Sequence, residues 1–191
     1  MRCFVAVDLS VTARAAVARV QTALRAAAPG ADVRWSDPAG FHLTLEFLGE
    51  LADTRAAAAA AALAPVAAGT APFELALGRV GAFPDPRRAR VLWLGLSAGA
   101  EPLAALAAAV AQALGALGFP PEARPFHGHA TLGRVRSGRR LGALADALGA
   151  APLPEPAAWT VREVVLYRSH LRPGGAEYAA LARLPLGSRD T

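Results

Sequence analysis

Two segments of the chain carry the same short motif, in which a histidine is followed two positions later by a threonine. The motifs are His42-Leu43-Thr44 and His129-Ala130-Thr131. Residues 41–48 alternate between apolar and polar side chains, which is typical of a strand with one face against a core. This alternation predicts Phe47 on the core side and Glu46 beside the histidine and threonine. Because residues i and i+2 of a strand face the same side, each motif predicts an imidazole and a hydroxyl on one surface.

The pair of motifs is more specific than either motif alone. The chain has only four histidines and eight threonines, so two such matches would arise by chance at roughly the one-per-cent level. A single histidine on a strand is more often structural or solvated. We therefore interpret the pair, and not an isolated motif, as the functional signal, and the fold must bring the two strands together.

The rest of the chain alternates between extended and helical segments. The predicted strands span residues 2–8, 33–35, 41–48, 73–83, 90–96, 127–135, 159–166 and 177–184. The predicted helices are one that Ser10 caps and that runs to about Ala28, followed by residues 52–67, 101–117 and 139–148. Turns are predicted at residues 37–40, 84–86 and 173–175. Since one motif falls in each half, the simplest architecture is a single domain, residues 1–191, with two lobes that face a shared cleft.

The composition limits the classes of function. Hydrophobic residues make up 54% and charged residues 18% of the chain, which excludes a disordered protein. All 20 basic residues are arginines and the net charge is +5, a bias typical of a GC-rich genome that also suits an anionic partner such as nucleic acid. Cys3 is the only cysteine, so there is no internal disulfide and no cysteine-based metal site. No secretory signal or membrane span is visible, and we expect a cytoplasmic protein that does not bind membranes.

Together, the two motifs suit transfer at a phosphodiester. A neutral histidine can take a proton from an attacking water or hydroxyl, and a protonated histidine can give one to the leaving oxygen. The hydroxyls of Thr44 and Thr131 can donate to the non-bridging phosphate oxygens. This chemistry requires no metal and no other cofactor.

Two further side chains near the second motif are candidates for the site. His127 shares strand parity with His129, and of the two roles it offers, lining the edge of the pocket and a structural role, we favour the structural one. Arg134 follows His129 by five positions, which places it on the opposite face of an unbroken strand. It reaches the site only if the strand ends or bulges, and Gly133 permits that.

Four regions of the chain resemble the 2H phosphoesterases, and among them the RNA 2′,3′-cyclic phosphodiesterases, which are also called 2′-5′ RNA ligases. These regions read RCFVAVDL, VRW with FHLTLEFLGE, RPFHGHATLGR, and LYRSHL with PGG and Tyr178. The chain departs from the family pattern at Gly128, where proline is common, and at Ala130, which replaces a larger aliphatic residue.

The resemblance implies an α+β, bilobal fold in which two antiparallel sheets flank a central cleft, with helices on the outside and pseudo-twofold symmetry. It implies a monomer that hydrolyses RNA 2′,3′-cyclic phosphate ends or cyclic nucleotides to a 2′-phosphate. By the same resemblance, His42 is the general acid that protonates the departing O3′, and His129 is the base that activates water. Thr44, Thr131 and Arg134 hold the phosphate.

Two alternative functions stay open at this point. The same groups would serve the reverse reaction, so the chain could be a 2′-5′ RNA ligase or a phosphodiesterase for another cyclic or 2′-5′ nucleotide. An alternative of a different class is a non-catalytic RNA-binding module that has kept the cleft. The intact histidines and threonines argue against that module.

Overall fold

The computed structural model describes residues 1–120, 122, 124–152, 157–172 and 175–187. The strands are β1 (Arg2–Asp8), β2 (Val33–Trp35), β3 (His42–Glu50), β4 (Phe73–Phe83), β5 (Val91–Ala98), β6 (Ala130–Val135), β7 (Ala158–Val161), β8 (Glu163–Arg172) and β9 (Gly175–Pro185). The helices are α1 (Val11–Ala27), α2 (Asp53–Ala68), α3 (Ala100–Gly115) and α4 (Leu141–Gly149).

Local side-chain bonds explain where the elements around the first motif begin. The Ser10 hydroxyl accepts a hydrogen bond from the backbone N–H of Ala13 (3.1 Å), so α1 starts at the predicted cap. Asp37 likewise accepts from the N–H of Ala39 (2.9 Å) and caps a 3₁₀ turn over Pro38–Gly40. This turn leads directly into β3 and therefore fixes where the first motif enters the sheet.

The nine strands form one antiparallel sheet. Its order is β7-β4-β5-β6-β3-β1-β8-β9, and β2 adds to β6. The sheet divides into a first half, β3-β1-β8-β9, and a second half, β6-β5-β4-β7, each of which starts from a motif strand at the seam. In the described residues the halves are joined by one register pair between β3 and β6, Leu43 with Ala130. The α+β fold implied by the resemblance is confirmed, and its two expected sheets are the halves of this one curled sheet.

One face of the sheet is buried under the helices. Val5 and Val7 on β1, Leu43 on β3 and Leu132 on β6 are buried in the same apolar core. Helices α2 and α3 contact the first half, and α1 contacts β6 and α4. The opposite face, which we call the cleft face, carries the polar residues of both motifs.

Two predicted strands differ from those observed. The predicted strand over residues 159–166 breaks at Arg162 into β7 and β8, which lie in opposite halves of the sheet. The predicted strand over residues 127–135 starts only at Ala130, so His127 and His129 lie in the segment that leads into β6. The predicted turn at residues 173–175 includes Pro173 and Gly174, which lie outside the described residues. None of the helices in the described ranges has the length and apolar character that crossing a membrane requires.

Candidate active site

The seam between the two halves sets the motifs face to face. Leu43 and Ala130, the middle residues of the motifs, are the pair that joins β3 to β6. In an antiparallel pair the residues that flank such a partnership also lie opposite one another. Each histidine therefore lies opposite the threonine of the other motif. The facing pairs are His42 with Thr131 and His129 with Thr44.

Both imidazoles are oriented by the backbone two residues before them. The Nδ1 of His42 lies 2.7 Å from the carbonyl oxygen of Gly40, and the Nδ1 of His129 lies 2.6 Å from that of His127. A carbonyl only accepts, so Nδ1–H is the donor in each ring. Nε2 is then the nitrogen that exchanges a proton, and in His42 it lies 3.1 Å from the hydroxyl of Thr44.

A β-bulge in β6 brings Arg134 to the cleft face. In the pairing of β5 with β6, Trp93 lies opposite Thr131 and Val91 lies opposite Arg134. Trp93 and Val91 are two residues apart on β5 and face the same side. Thr131 and Arg134 therefore share a face, with Leu132 as the extra residue of the bulge. The bulge that the sequence required for Arg134 is present.

A second bulge, in β3, overturns the predicted alternation there. β1 places Phe4 opposite Phe47 and Val5 opposite Glu46, with Leu45 as the extra residue. Phe4 stacks on the imidazole of the first motif, with ring centroids 4.7 Å apart, whereas Val5 lies in the core. Phe47 therefore shares the cleft face, where it is 63% exposed. The predictions that Phe47 faces the core and that Glu46 lies beside the motif were wrong, because the bulge reverses the alternation after Thr44.

Aromatic rings surround each histidine. Tyr178 meets the His42 ring edge-on at 5.0 Å, in addition to the stacked Phe4. On the other side, Phe83 meets the His129 ring edge-on at 5.2 Å. The rings of His127 and Trp93 lie 5.9 and 6.3 Å from that of His129. His127 thus lies at the edge of the site and also packs against Phe83 and Trp93, a position that suits both of its predicted roles.

The two histidines share one electrostatic effect and differ in another. Burial lowers the pKa of both His42 and His129, and the backbone carbonyl that each ring contacts acts in the opposite direction. The carboxylate of Asp8 also raises the pKa of His42, while the charges of Arg14 and His129 lower it. At His129, the charges of His127 and Arg134 add to the lowering. The first ring thus has a negative neighbour besides its positive ones, whereas the charges that act on the second ring are positive.

The site contains further side chains that the sequence did not predict. Arg34 lies opposite Arg134 in the pairing of β2 with β6, so both guanidinium groups belong to the cleft face. Their charges partly offset the burial that raises the pKa of Tyr178. Comparing the two motifs position by position would have found Phe47, because it stands five residues after its histidine, as Arg134 does. In the described part of the chain, no group of three or more His, Cys, Asp or Glu residues could hold a metal ion.

Comparison with known proteins agrees with this geometry. Residues 41–173 match the model of the 2′-5′ RNA ligase superfamily. The chain belongs to this superfamily. The resemblance read from the four sequence regions is therefore confirmed.

One curated relative and two solved structures are similar to this chain over nearly their whole length. The RNA 2′,3′-cyclic phosphodiesterase of Methanothermobacter thermautotrophicus is 34% identical over 93% of this chain and 95% of its own. The crystal structure of TT0787 of Thermus thermophilus superposes with a TM-score of 0.78 at 30% identity, covering 99% of this chain and all of that one. LigT of E. coli, solved in complex with 3′-AMP, gives a TM-score of 0.76 at 28% identity and covers 97% of both chains.

Proposed function

We propose that this member of the 2′-5′ RNA ligase superfamily is a phosphodiesterase that opens the 2′,3′-cyclic phosphate at the end of an RNA and leaves a 2′-phosphate. The observation that carries the proposal is the pair of facing motifs, each with an imidazole held through Nδ1 and a hydroxyl on the same face. The names of the relatives support the substrate, since several of them are RNA 2′,3′-cyclic phosphodiesterases. That LigT binds 3′-AMP supports a nucleotide ligand.

In the proposed reaction the two histidines move two protons. His129 accepts a proton on Nε2 from a water molecule as the water oxygen bonds to phosphorus. The bond from phosphorus to O3′ breaks, and Nε2 of His42 gives its proton to that oxygen. The ring is opened to a 2′-phosphate and a free 3′-hydroxyl. His129, which began neutral, ends protonated, and His42, which began protonated, ends neutral.

The remaining groups of the cleft face bind the phosphate and the nucleobase of the substrate. Thr44 and Thr131 donate hydrogen bonds to the non-bridging oxygens, where negative charge builds up during attack. Arg134 reaches the same face through its bulge and adds charge-assisted hydrogen bonds. The exposed ring of Phe47 offers a surface on which a nucleobase can stack. These residues supply acid, base and anion donors, so the proposed reaction uses no metal.

The decisive experiment is turnover of a short RNA that ends in a 2′,3′-cyclic phosphate, in the presence of EDTA. We expect a 2′-phosphate product, whose position ³¹P NMR assigns. His42→Ala and His129→Ala should each lower kcat by about 10²–10⁴-fold, the usual contribution of an acid–base group. His170→Ala, which removes a histidine of β8 outside both motifs, is the matched control. Unchanged activity in either motif variant would rule the proposal out, as would tight RNA binding by the wild type without turnover.

A 2′-5′ RNA ligase is the second candidate function, because of the superfamily name and because the chemistry is reversible. The same acid and base can join an RNA 2′,3′-cyclic phosphate to a 5′-hydroxyl in a 2′-5′ linkage. Comparing the rates of hydrolysis and joining, together with hydrolysis of other cyclic and 2′-5′ nucleotides, ranks these activities directly. Joining that is faster than hydrolysis at equal RNA concentration would replace the hydrolase proposal by the ligase.

A further inference from the structure

The two halves of the sheet place different residues behind their histidines. On β1, Asp8 is the cross-strand partner of His42. On β5, Leu94 pairs with Ala130, so the corresponding position beside His129 belongs to Gly95. Glycine carries no side chain, and the sheet therefore gives a carboxylate to one histidine and none to the other.

The carboxylate of Asp8 is held in place by two donors. The hydroxyl of Tyr167 lies 2.8 and 2.9 Å from its two oxygens, and Nη1 of Arg183 lies 3.2 Å from one of them. Burial, and donation to Asp8, raise the pKa of Tyr167 to about 12, so this donor keeps its proton throughout the neutral range. Asp8 and His42 line the same pocket, which has a volume of about 250 Å³.

We propose that Asp8 is a positioning residue that makes His42, and not His129, the proton donor of the reaction. This inference rests on the proposed function, because it assigns the acid of that reaction. Directly opposite side chains of an antiparallel pair have Cβ atoms about 4.5–5.5 Å apart. The two side chains are therefore neighbours, and through space the carboxylate stabilises the imidazolium form of His42 and opposes the effect of burial.

The other charged and titratable groups around His42 do not provide this effect. Asp37 is engaged as the cap of the 3₁₀ turn, and Glu177 is paired with Arg172 (3.2 Å). The charge of Arg14, and that of His129 when its ring is protonated, act against the imidazolium of His42. The groups that face the pocket or act on His42 are Asp8 from β1, Arg14 from α1, Asp37 from the 3₁₀ turn, His129 from the segment before β6, Tyr167 from β8, and Glu177 and Tyr178 from β9.

The surroundings of His129 favour the opposite role. Arg134 shares its face through the bulge, and the ring of His127 lies 5.9 Å away. Positive charge at these positions favours the neutral imidazole, which is the form that a general base needs. The structure therefore provides each ring with the charge environment that its role requires before substrate binds.

Asp8→Asn tests the inference, since it removes the charge and keeps the shape. We expect the falling, high-pH limb of the kcat/KM profile to move about one pH unit lower, which corresponds to a roughly tenfold loss at pH 8. Because a bell-shaped profile does not identify the group that titrates, NMR titration of the histidine ring protons should show the same shift at His42 and almost none at His129. Asp8→Glu should return the high-pH limb of the kcat/KM profile to its wild-type position.

Two further variants separate this inference from simpler explanations. Glu163→Gln removes a carboxylate that also contacts Arg183 but is not the partner of His42, and it should leave the limb in place. Arg183→Gln, at an exposed residue, removes a cation that offsets Asp8, so the limb should move to higher pH even if Asp8→Asn does not fold. An unmoved limb, or a shift of the rising limb instead, would overturn the inference.

If the wild type does not open cyclic phosphates, the proposed function fails, whereas the NMR titration still decides whether Asp8 controls His42.

Discussion

At the residue scale, the local chain of each motif orients its own histidine. The acceptor for Nδ1–H is the backbone carbonyl two residues before the ring, at Gly40 in one motif and His127 in the other. A carbonyl is available from any residue, so this contact does not restrict the side chain at that position. Gly40 has a separate reason to be glycine, because an added Cβ would lie 3.0 Å from the ring of Tyr178.

The buried histidines make stability depend on pH. Burial lowers the pKa of His42 and His129 in the folded protein, whereas both titrate near 6.5 in the unfolded chain. Below that value the unfolded state binds more protons than the folded state. The free energy of unfolding should therefore be constant in this respect above about pH 6.5 and should fall as the pH drops below it. Urea unfolding at pH 7.5 and pH 5 measures this dependence. His42→Gln should weaken it and His170→Gln should not, and an equal dependence in all three proteins would contradict the prediction.

At the scale of elements, the bulge in β6 depends on a helix that lies on the other face of the sheet. Gln21 on α1 is only 7% exposed and is the buried polar side chain of the described residues. Its Nε2 donates to the carbonyl of Leu132, the extra residue of the bulge, at 2.9 Å and to that of Ser36 at 2.8 Å. Gly133 completes the arrangement, since an added Cβ would lie 2.8 Å from a methyl group of Val33 on β2. The helix and β2 thus stabilise the irregularity that turns Arg134 toward the cleft.

Gln21→Met tests this coupling between helix and site. The variant keeps the length of the side chain and removes the hydrogen bonds to both carbonyls, of which that of Leu132 still accepts one from the N–H of Ser36 (2.9 Å), so we expect a loss of about 1–3 kcal/mol in the free energy of unfolding. It should also raise KM for a cyclic phosphate, because the bulge that positions Arg134 loses its support. Urea unfolding and steady-state kinetics measure the two effects. Thr22→Val, at the next and exposed residue of α1, should cost less than about 0.5 kcal/mol; equal losses in both variants would argue against the coupling.

The element boundaries that the sequence predicted well are those with a local chemical cause. The first helix begins at its Ser10 cap, and β1 and β2 have the predicted bounds. The bulge after Thr44 was not predicted, and the bulge after Thr131 was expected only as a condition for Arg134 to reach the site, because an extra residue is defined by the partner strand and leaves little trace in a period-two pattern. The division of residues 159–166 between two halves of the sheet has the same origin. Both motifs were therefore found from the sequence, and a comparison of the two motifs would have added Phe47, whereas the place of Asp8 beside His42 required the pairing of strands.

At the scale of the whole molecule, two halves with the same strand plan carry different chemistry. Each motif strand bulges directly after its threonine, and the residue that returns to the cleft face is Phe47 in one half and Arg134 in the other. The cross-strand partner of the histidine differs in the same way, with Asp8 in the first half and Gly95 in the second. The repeated backbone supplies two facing imidazoles, and these substitutions make the two sides unequal, as a reaction with one acid and one base requires.

The net charge of +5 leads to a prediction about salt. A cyclic mononucleotide presents one phosphate, whereas a longer RNA carries further phosphates past the exposed Arg34, which lies opposite Arg134 on the cleft face. Each phosphate contact to a single strand adds a slope of about −0.7 to the dependence of log affinity on log salt. We therefore expect kcat/KM for a tetranucleotide with a cyclic end to fall more steeply with KCl than kcat/KM for the mononucleotide. Arg34→Gln should reduce that extra slope by about 0.7, and Arg25→Gln, in the last turn of α1 on the helical side, should not. Equal slopes for the two substrates would mean that the protein contacts only the terminal phosphate.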